Sequence, residues 1–176
     1  LNNEQLRLEK DLSRFESRKE ALNESRGSYA LRILLEAGLE GIHGYVAQLG
    51  EVSEKNRYAL EIAAGNRLGQ IVVDNDHIAA KAIEILKKKK AGRLTFLPLN
   101  RIKSQKNNYA ISRFENYKEP GFIDKAINLI TFDQVYSDVF RYVFGDTLVF
   151  SDLSSARLSK QKNRLVTLSG ELLEAS

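Results

Sequence analysis

The chain has no cysteine, no methionine and no tryptophan, and only two prolines and two histidines in 176 residues. Without cysteine it can hold neither disulfides nor thiolate metal ligands, which fits a reducing cytoplasm. The lack of methionine, at position 1 as elsewhere, suggests a fragment of a longer protein. His43 and His77 are far apart and show no HxxxH or HExxH spacing. His77, in "DNDH", reads as a first-turn helix residue rather than a base. There is no GxxxxGK[ST] phosphate loop, and "AAGNRLG" follows a helix and precedes a strand, the reverse of a dinucleotide fingerprint. No run approaches the roughly 20 apolar residues that cross a bilayer, and the polar N-terminus does not resemble a signal peptide. These absences argue against an enzyme, and no cofactor, metal or membrane contact is expected.

What is present is an ordinary folded composition, 43% hydrophobic and 28% charged, with a net charge of +4. The positive charge is concentrated. From Ile85 to Phe114 there are nine basic residues and no acid: Lys87, Lys88, Lys89, Lys90, Arg93, Arg101, Lys103, Lys106 and Arg113. The remainder holds 18 basic and 23 acidic residues, a balance of −5. A local excess of this kind suits a polyanion, and DNA contact directed at phosphates is expected. Tyr109 and Phe114 could stack on unpaired bases or belong to a core. The plainer reading is that lysines at 87–90 complement the negative end of a helix dipole.

Residues 1–26 form a charged helix in which Leu1, Leu8, Phe15 and Leu22 recur every seven positions. Gln5, Leu12, Lys19 and Arg26 occupy the second seam, which only Leu12 fills with an apolar group. The spacing fits the end of a coiled coil or an amphipathic helix packed on its own domain. Gly27 and Ser28 then punctuate, "YALRILLEAG" gives a second helix closing on Gly38, and "YVAQL" (45–49) alternates like a strand.

Two stretches share a grammar. "RYALEIAAGNRLGQIVVDN" (57–75) and "VYSDVFRYVFGDTLVFSDL" (135–153) each carry a tyrosine, an apolar helical period, a glycine, a short apolar run and a capping residue. In the first, Tyr58, Ala59, Ile62 and Ala63 share a helix face and Gly65 takes the positive-φ cap. "QIVV" is a buried strand, and Asp74, Asn75 or Asp76 caps a helix striped by Ile78, Ala79, Ala82, Ile83 and Leu86. "RLTFLPL" follows as a strand stopped by Pro98. In the second, Val135, Tyr136, Val139, Phe140 and Val143 make the face and Gly145 the cap. "TLVF" is the strand, Ser151 or Asp152 the next cap, "LSSARLSKQ" a short helix and "NRLVTL" the closing strand. "GRLTFL" and "NRLVTL" set an Arg-Leu pair in register. Alternating helices and strands favour parallel pairing within each copy, a rhythm any α/β chain can also produce by chance.

"GYVAQLGEV", "YALEIAAGNRLGQIVV", "KAGRLTFLPLNRIK", "YVFGDTLVFSDL" and "RLVTLSGELLEAS" together resemble the hinge domain of SMC (structural maintenance of chromosomes) proteins, of the bacterial homodimeric type. The resemblance implies an α+β or α/β fold of two similar subdomains, mixed sheets flanked by helices, preceded by a coiled-coil helix. Its parts would be an arm end at 1–26, subdomains at 27–103 and 119–176, and a linker at 104–118. It implies a non-catalytic dimerisation module for chromosome condensation and segregation, nucleoid-associated in the cytoplasm. ATP binding and other subunits of the complex would belong to the full-length protein. Members of this type continue past the position of Ser176 into a glycine-rich stretch of the dimer contact, which this chain lacks. Within the chain, interface residues are expected around the repeat strands: Gly65, Arg67, Leu68, Gly69, Gln70, Ile71, Val72, Gly145, Thr147, Leu148 and Val149. The alternative is a monomeric nucleic-acid-binding domain carried on a helical arm.

Overall fold

The computed structural model describes residues 2–102 and 117–175; within the first helix it describes side chains only for 3–12, 14 and from 29 onward. The basic residues Lys103, Lys106 and Arg113, with Tyr109 and Phe114, lie outside the described residues. The chain divides into two compact units, 1–40 with 80–94 and 41–79 with 95–176.

In the first unit, α1 runs unbroken from Asn2 to Glu36. The break expected at Gly27 and Ser28 is not there. One interior glycine costs a helix only about 1 kcal/mol, and long helical flanks absorb it. Leu8 and Leu12, the expected seam residues, are 67% and 59% exposed, whereas Ala30 and Leu34 are buried.

The second unit contains a duplication more complete than the sequence suggested. The first copy comprises β1 (Ile42–Tyr45), β2 (Gly50–Val52), α2 (Glu54–Ala64), β3 (Ile71–Val73), α3 (Asp76–Lys89, which continues into the first unit) and β4 (Phe96–Pro98). The second comprises β5 (Phe122–Lys125), β6 (Ile130–Phe132), α4 (Ser137–Phe144), β7 (Leu148–Phe150), α5 (Leu153–Arg157), β8 (Leu165–Thr167) and β9 (Leu172–Leu173). In each copy the central strand pairs antiparallel with the opening strand and parallel with the strand after the next helix, β1-β3-β4 and β5-β7-β8, and β9 extends the second sheet. The antiparallel pairs carry the same irregularity, between Ile42 and Gly44 in one and Phe122 and Asp124 in the other.

Equivalent positions stand eighty apart through the first half of each copy. Gly41 and Gly121 both take positive φ, Val46 and Ala126 are both fully buried, and Gly65 and Gly145 end their helices at φ 57° and 54°. The cap conformation expected of those two glycines is therefore present. Ala59, Leu60, Ala63 and Ala64 of α2 match Val139, Phe140, Val143 and Phe144 of α4, and all eight lie in one core. Small side chains on one helix leave the volume that the phenylalanines of its counterpart occupy, the complementarity that close packing requires.

Several expected details are displaced. "YVAQL" is a strand end followed by a 3₁₀ turn, Val46–Gln48. Val46 and Leu49 both face the core, an i,i+3 spacing that a tight turn satisfies and an alternating strand does not. Tyr136 matches Asn56 rather than Tyr58, and Val135 and Tyr58 are each 55% exposed. The Arg-Leu pairs are also out of register. The carbonyls of Thr95 and Arg164 accept from Ile71 and Leu148, so Thr95 matches Arg164 and Arg93-Leu94 lies upstream. Asn75 and Asp152 are the actual caps, accepting from the amides of Ile78 and Ser155 at 2.9 and 2.8 Å.

Candidate functional site

The two copies meet along β2 and β6, which pair antiparallel as Gly50↔Phe132, Glu51↔Thr131 and Val52↔Ile130. Gly50 matches Ile130, Glu51 matches Thr131 and Val52 matches Phe132, so this register relates each strand to its own counterpart. Glu51 and Thr131 lie on a local two-fold. The ribbon can close this tightly because Gly50 has no Cβ: one there would sit 2.5 Å from Ile130 Cδ1 and 2.9 Å from Phe140 Cζ.

Four further ties join the copies. His43, on β1, lies 2.8 Å from the Tyr136 hydroxyl through Nδ1 and 2.6 Å from Asp74 Oδ1 through Nε2. A carboxylate only accepts when ionised, so Nε2–H donates to Asp74, which fixes the ring's orientation. Burial pushes the Tyr136 hydroxyl up, as do the charges of Asp133 and Asp74. At the C-terminal ends of α2 and α4, Arg67 donates to the Tyr142 carbonyl at 2.8 Å and stacks 4.5 Å above the Tyr142 ring, while Arg164 donates to the Ala63 carbonyl at 2.6 Å. Finally, the β8–β9 turn lays Gly170 on the ring of Tyr58. None of these partners is close in sequence, so only the closing duplication could have revealed them.

The residues expected at a dimer contact fall into two sets. Ile71, Val72, Leu148 and Val149 have no exposed surface, and Thr147 has 2%. β3 and β7 are moreover the central strands of their sheets, bonded on both sides. A side chain in that position cannot touch another copy, so these five are removed from the expected interface. Their apolar runs signalled a strand buried on both faces rather than an edge. Gly65, Arg67, Gly69 and Gly145 are exposed, and Leu68 and Gln70 are half-buried. The guanidinium of Arg67 is engaged within the chain.

The basic residues are likewise divided. Lys87, Lys88, Lys89, Lys90 and Arg93 are exposed and belong to the first unit. Lys87–Lys89 occupy the last turn of α3, and Lys90 takes φ 50°, with the Ala91 amide returning to the Leu86 carbonyl to close the helix. Arg101 belongs to the second unit and pairs with Asp76 at 3.5 Å, so it does have an acidic partner. A hydrogen bond from Asn100, assisted by the Arg101 charge, holds the Asp76 carboxyl below its ordinary range despite some desolvation. No helix among the described residues is long and apolar enough to cross a membrane.

A duplicated α+β unit with mixed sheets, its copies joined on a local two-fold, is the architecture of an SMC hinge, and the chain belongs to that family. The family model for the SMC proteins flexible hinge domain matches residues 39–158. This module of the family is non-catalytic. Among individual proteins, the chain is 48% identical over 174 residues to the chromosome partition protein Smc of Synechococcus sp., covering 98% of this chain and 14% of that protein. It is 41% identical over 170 residues to the protein of the same name from Methanocaldococcus jannaschii, covering 95% and 14%. The fold matches the crystal structure of the Pyrococcus furiosus SMC hinge domain at a TM-score of 0.68 and 37% identity, over 88% of this chain and 80% of that one. It also matches an asymmetric dimer of the Geobacillus stearothermophilus SMC hinge at 0.69 and 32%, over 93% and 69%. The chain thus spans about one seventh of the length of the curated relatives it matches.

Proposed function

We propose that this chain is the dimerisation hinge of a chromosome-partition Smc protein, closing two-fold on a second copy and touching DNA through its basic residues. The observation that carries the reading is the unequal finish of the two sheets. β8 is covered on its outer side by β9, whereas its counterpart β4 has β3 alone as a strand partner among the described residues. A sheet edge left open invites a strand from elsewhere, and two-fold closure satisfies both copies without propagating into a filament. The halves at 27–103 and 119–176 would then meet head to tail. The exposed seam at Leu8 and Leu12 suits an antiparallel helix of the same full-length chain, where an ATPase head and other subunits would act at the nucleoid.

Molar mass in solution tests the first part, measured for the 176-residue chain and for one extended past Ser176. Two chains per particle at micromolar concentration are expected for the extended form, and a stable monomer in both would overturn the dimer. For DNA, we expect replacing Lys87, Lys88, Lys89, Lys90, Arg101 and Lys103 with glutamate to weaken binding and flatten its salt dependence. Each lost phosphate contact removes roughly 0.9 from the log–log slope on duplex DNA. An unchanged slope would mean these lysines only solvate the end of α3.

A further inference from the structure

We propose that Arg67 and Arg164 close a circuit through which the ends of α2 and α4 hold each other, so that neither copy can loosen there alone. The two arginines are not equivalent in the duplication. Arg67 lies in the stretch between α2 and β3 (Gly65 to Ile71), which is longer than its counterpart (Gly145 to Leu148), and Arg164 leads into β8. They nevertheless reach matching carbonyls: Arg164 reaches Ala63 at 2.6 Å, and Arg67 reaches Tyr142 at 2.8 Å and Val143 at 3.4 Å. Ala63 and Val143 are eighty apart and occupy the same place on their helices. Each arginine puts its charge at the negative end of the other copy's helix.

The connections run in a ring. The α2 end passes through Gly65 into Arg67, which holds the α4 end. The α4 end passes through Gly145 into Asp146 and Leu148, and both are fastened to the segment that carries Arg164 into β8. The Asp146 carbonyl accepts from Asn163 Nδ2 at 2.9 Å, and the Leu148 amide donates to the Arg164 carbonyl at 3.0 Å. Arg164 then returns to the α2 end. Glu174 steadies that last step at 3.5 Å from Arg164 Nε. Both arginines and both helix ends line one solvent-open polar cleft of about 530 Å³. Water can therefore take over a carbonyl that an arginine leaves, so cutting one contact frees a helix end without stranding a buried acceptor.

Amide exchange at Gly65 and Gly145, which donate to Glu61 and Arg141, reads the two helix ends separately. In the 176-residue chain, Arg67→Gln and Arg164→Gln are each expected to speed exchange at both glycines by about two- to fivefold, the range of a helix-end charge interaction. The double variant should do so by less than the product of the two, because the first cut has already opened the ring. If Arg67→Gln moves only Gly145 and Arg164→Gln only Gly65, with effects that multiply, the caps are independent and the circuit does not exist. Should a glutamine variant fail to fold, Arg67→Met and Arg164→Met keep the apolar stem without the charge or the donors and are read by the same two outcomes.

Discussion

Gly170 shows how much one absent methyl group can decide. It sits at φ 93°, and a Cβ there would fall 2.5 Å from Tyr58 Cε1 and 2.9 Å from Cζ. The left-handed backbone requires glycine, and the close approach to the ring seats the β8–β9 turn on α2 of the other copy. Gly170→Ala should cost about 1–3 kcal/mol, from left-handed strain and from displacing the ring. Denaturant unfolding of Gly170→Ala, Tyr58→Ala and the double variant would apportion the two causes. The double variant should be more stable than the sum of the singles predicts, since removing the ring removes the clash and leaves only the strain. Strict additivity would show that the turn and the tyrosine do not bear on each other. Acid residues at turns are similarly placed: Asp152 is held below its ordinary range first by the Ser155 amide, then by the Ser151 and Ser155 hydroxyls.

At the scale of elements, most of the helices and all of the central strands were legible, and the reasons are local. Gly65 and Gly145 close helices of the expected period, and β3 and β7 are short, fully apolar and bounded by turn residues. What sequence reasoning missed depends on partners distant in the chain. β1 and β5 are edge strands whose existence rests on hydrogen bonds to β3 and β7, and "IHGY" and "FIDK" share no pattern that a reader would match. The repeat therefore looked shorter than it is, beginning at the helix instead of at Gly41 and Gly121. The Arg-Leu coincidence misled for the opposite reason: identical residues drew attention, while the hydrogen-bond register aligned Thr95 with Arg164. The interface reading failed in part because an apolar run says that a strand is buried and not which element buries it. The ties formed by His43 with Tyr136 and by Arg164 with Ala63 join residues 93 and 101 positions apart, beyond any periodicity.

For the whole molecule, the open question is which surface a second copy would cover. The exposed part of the expected contact includes Gly65, Gly69 and Gly145, and Gly69 offers the cleanest probe of it. A Cβ added there meets nothing within 4 Å, and its φ is not in the left-handed region, so a large side chain can be introduced without disturbing the chain that carries it. A stable contact buries roughly 800 Å² per partner at near-crystalline packing, which leaves no room for a guanidinium at its centre. If two copies meet over this stretch, Gly69→Arg in the form extended past Ser176 should shift the mass from two chains to one, with the monomer still unfolding cooperatively. Leu158→Arg supplies the control, because Leu158 is 83% exposed at the end of α5 and should leave the mass as it was. An unaltered dimer in Gly69→Arg would move the contact away from the 65–69 stretch and onto the sheet edges, where among the described residues β4 has one strand neighbour and β8 has two.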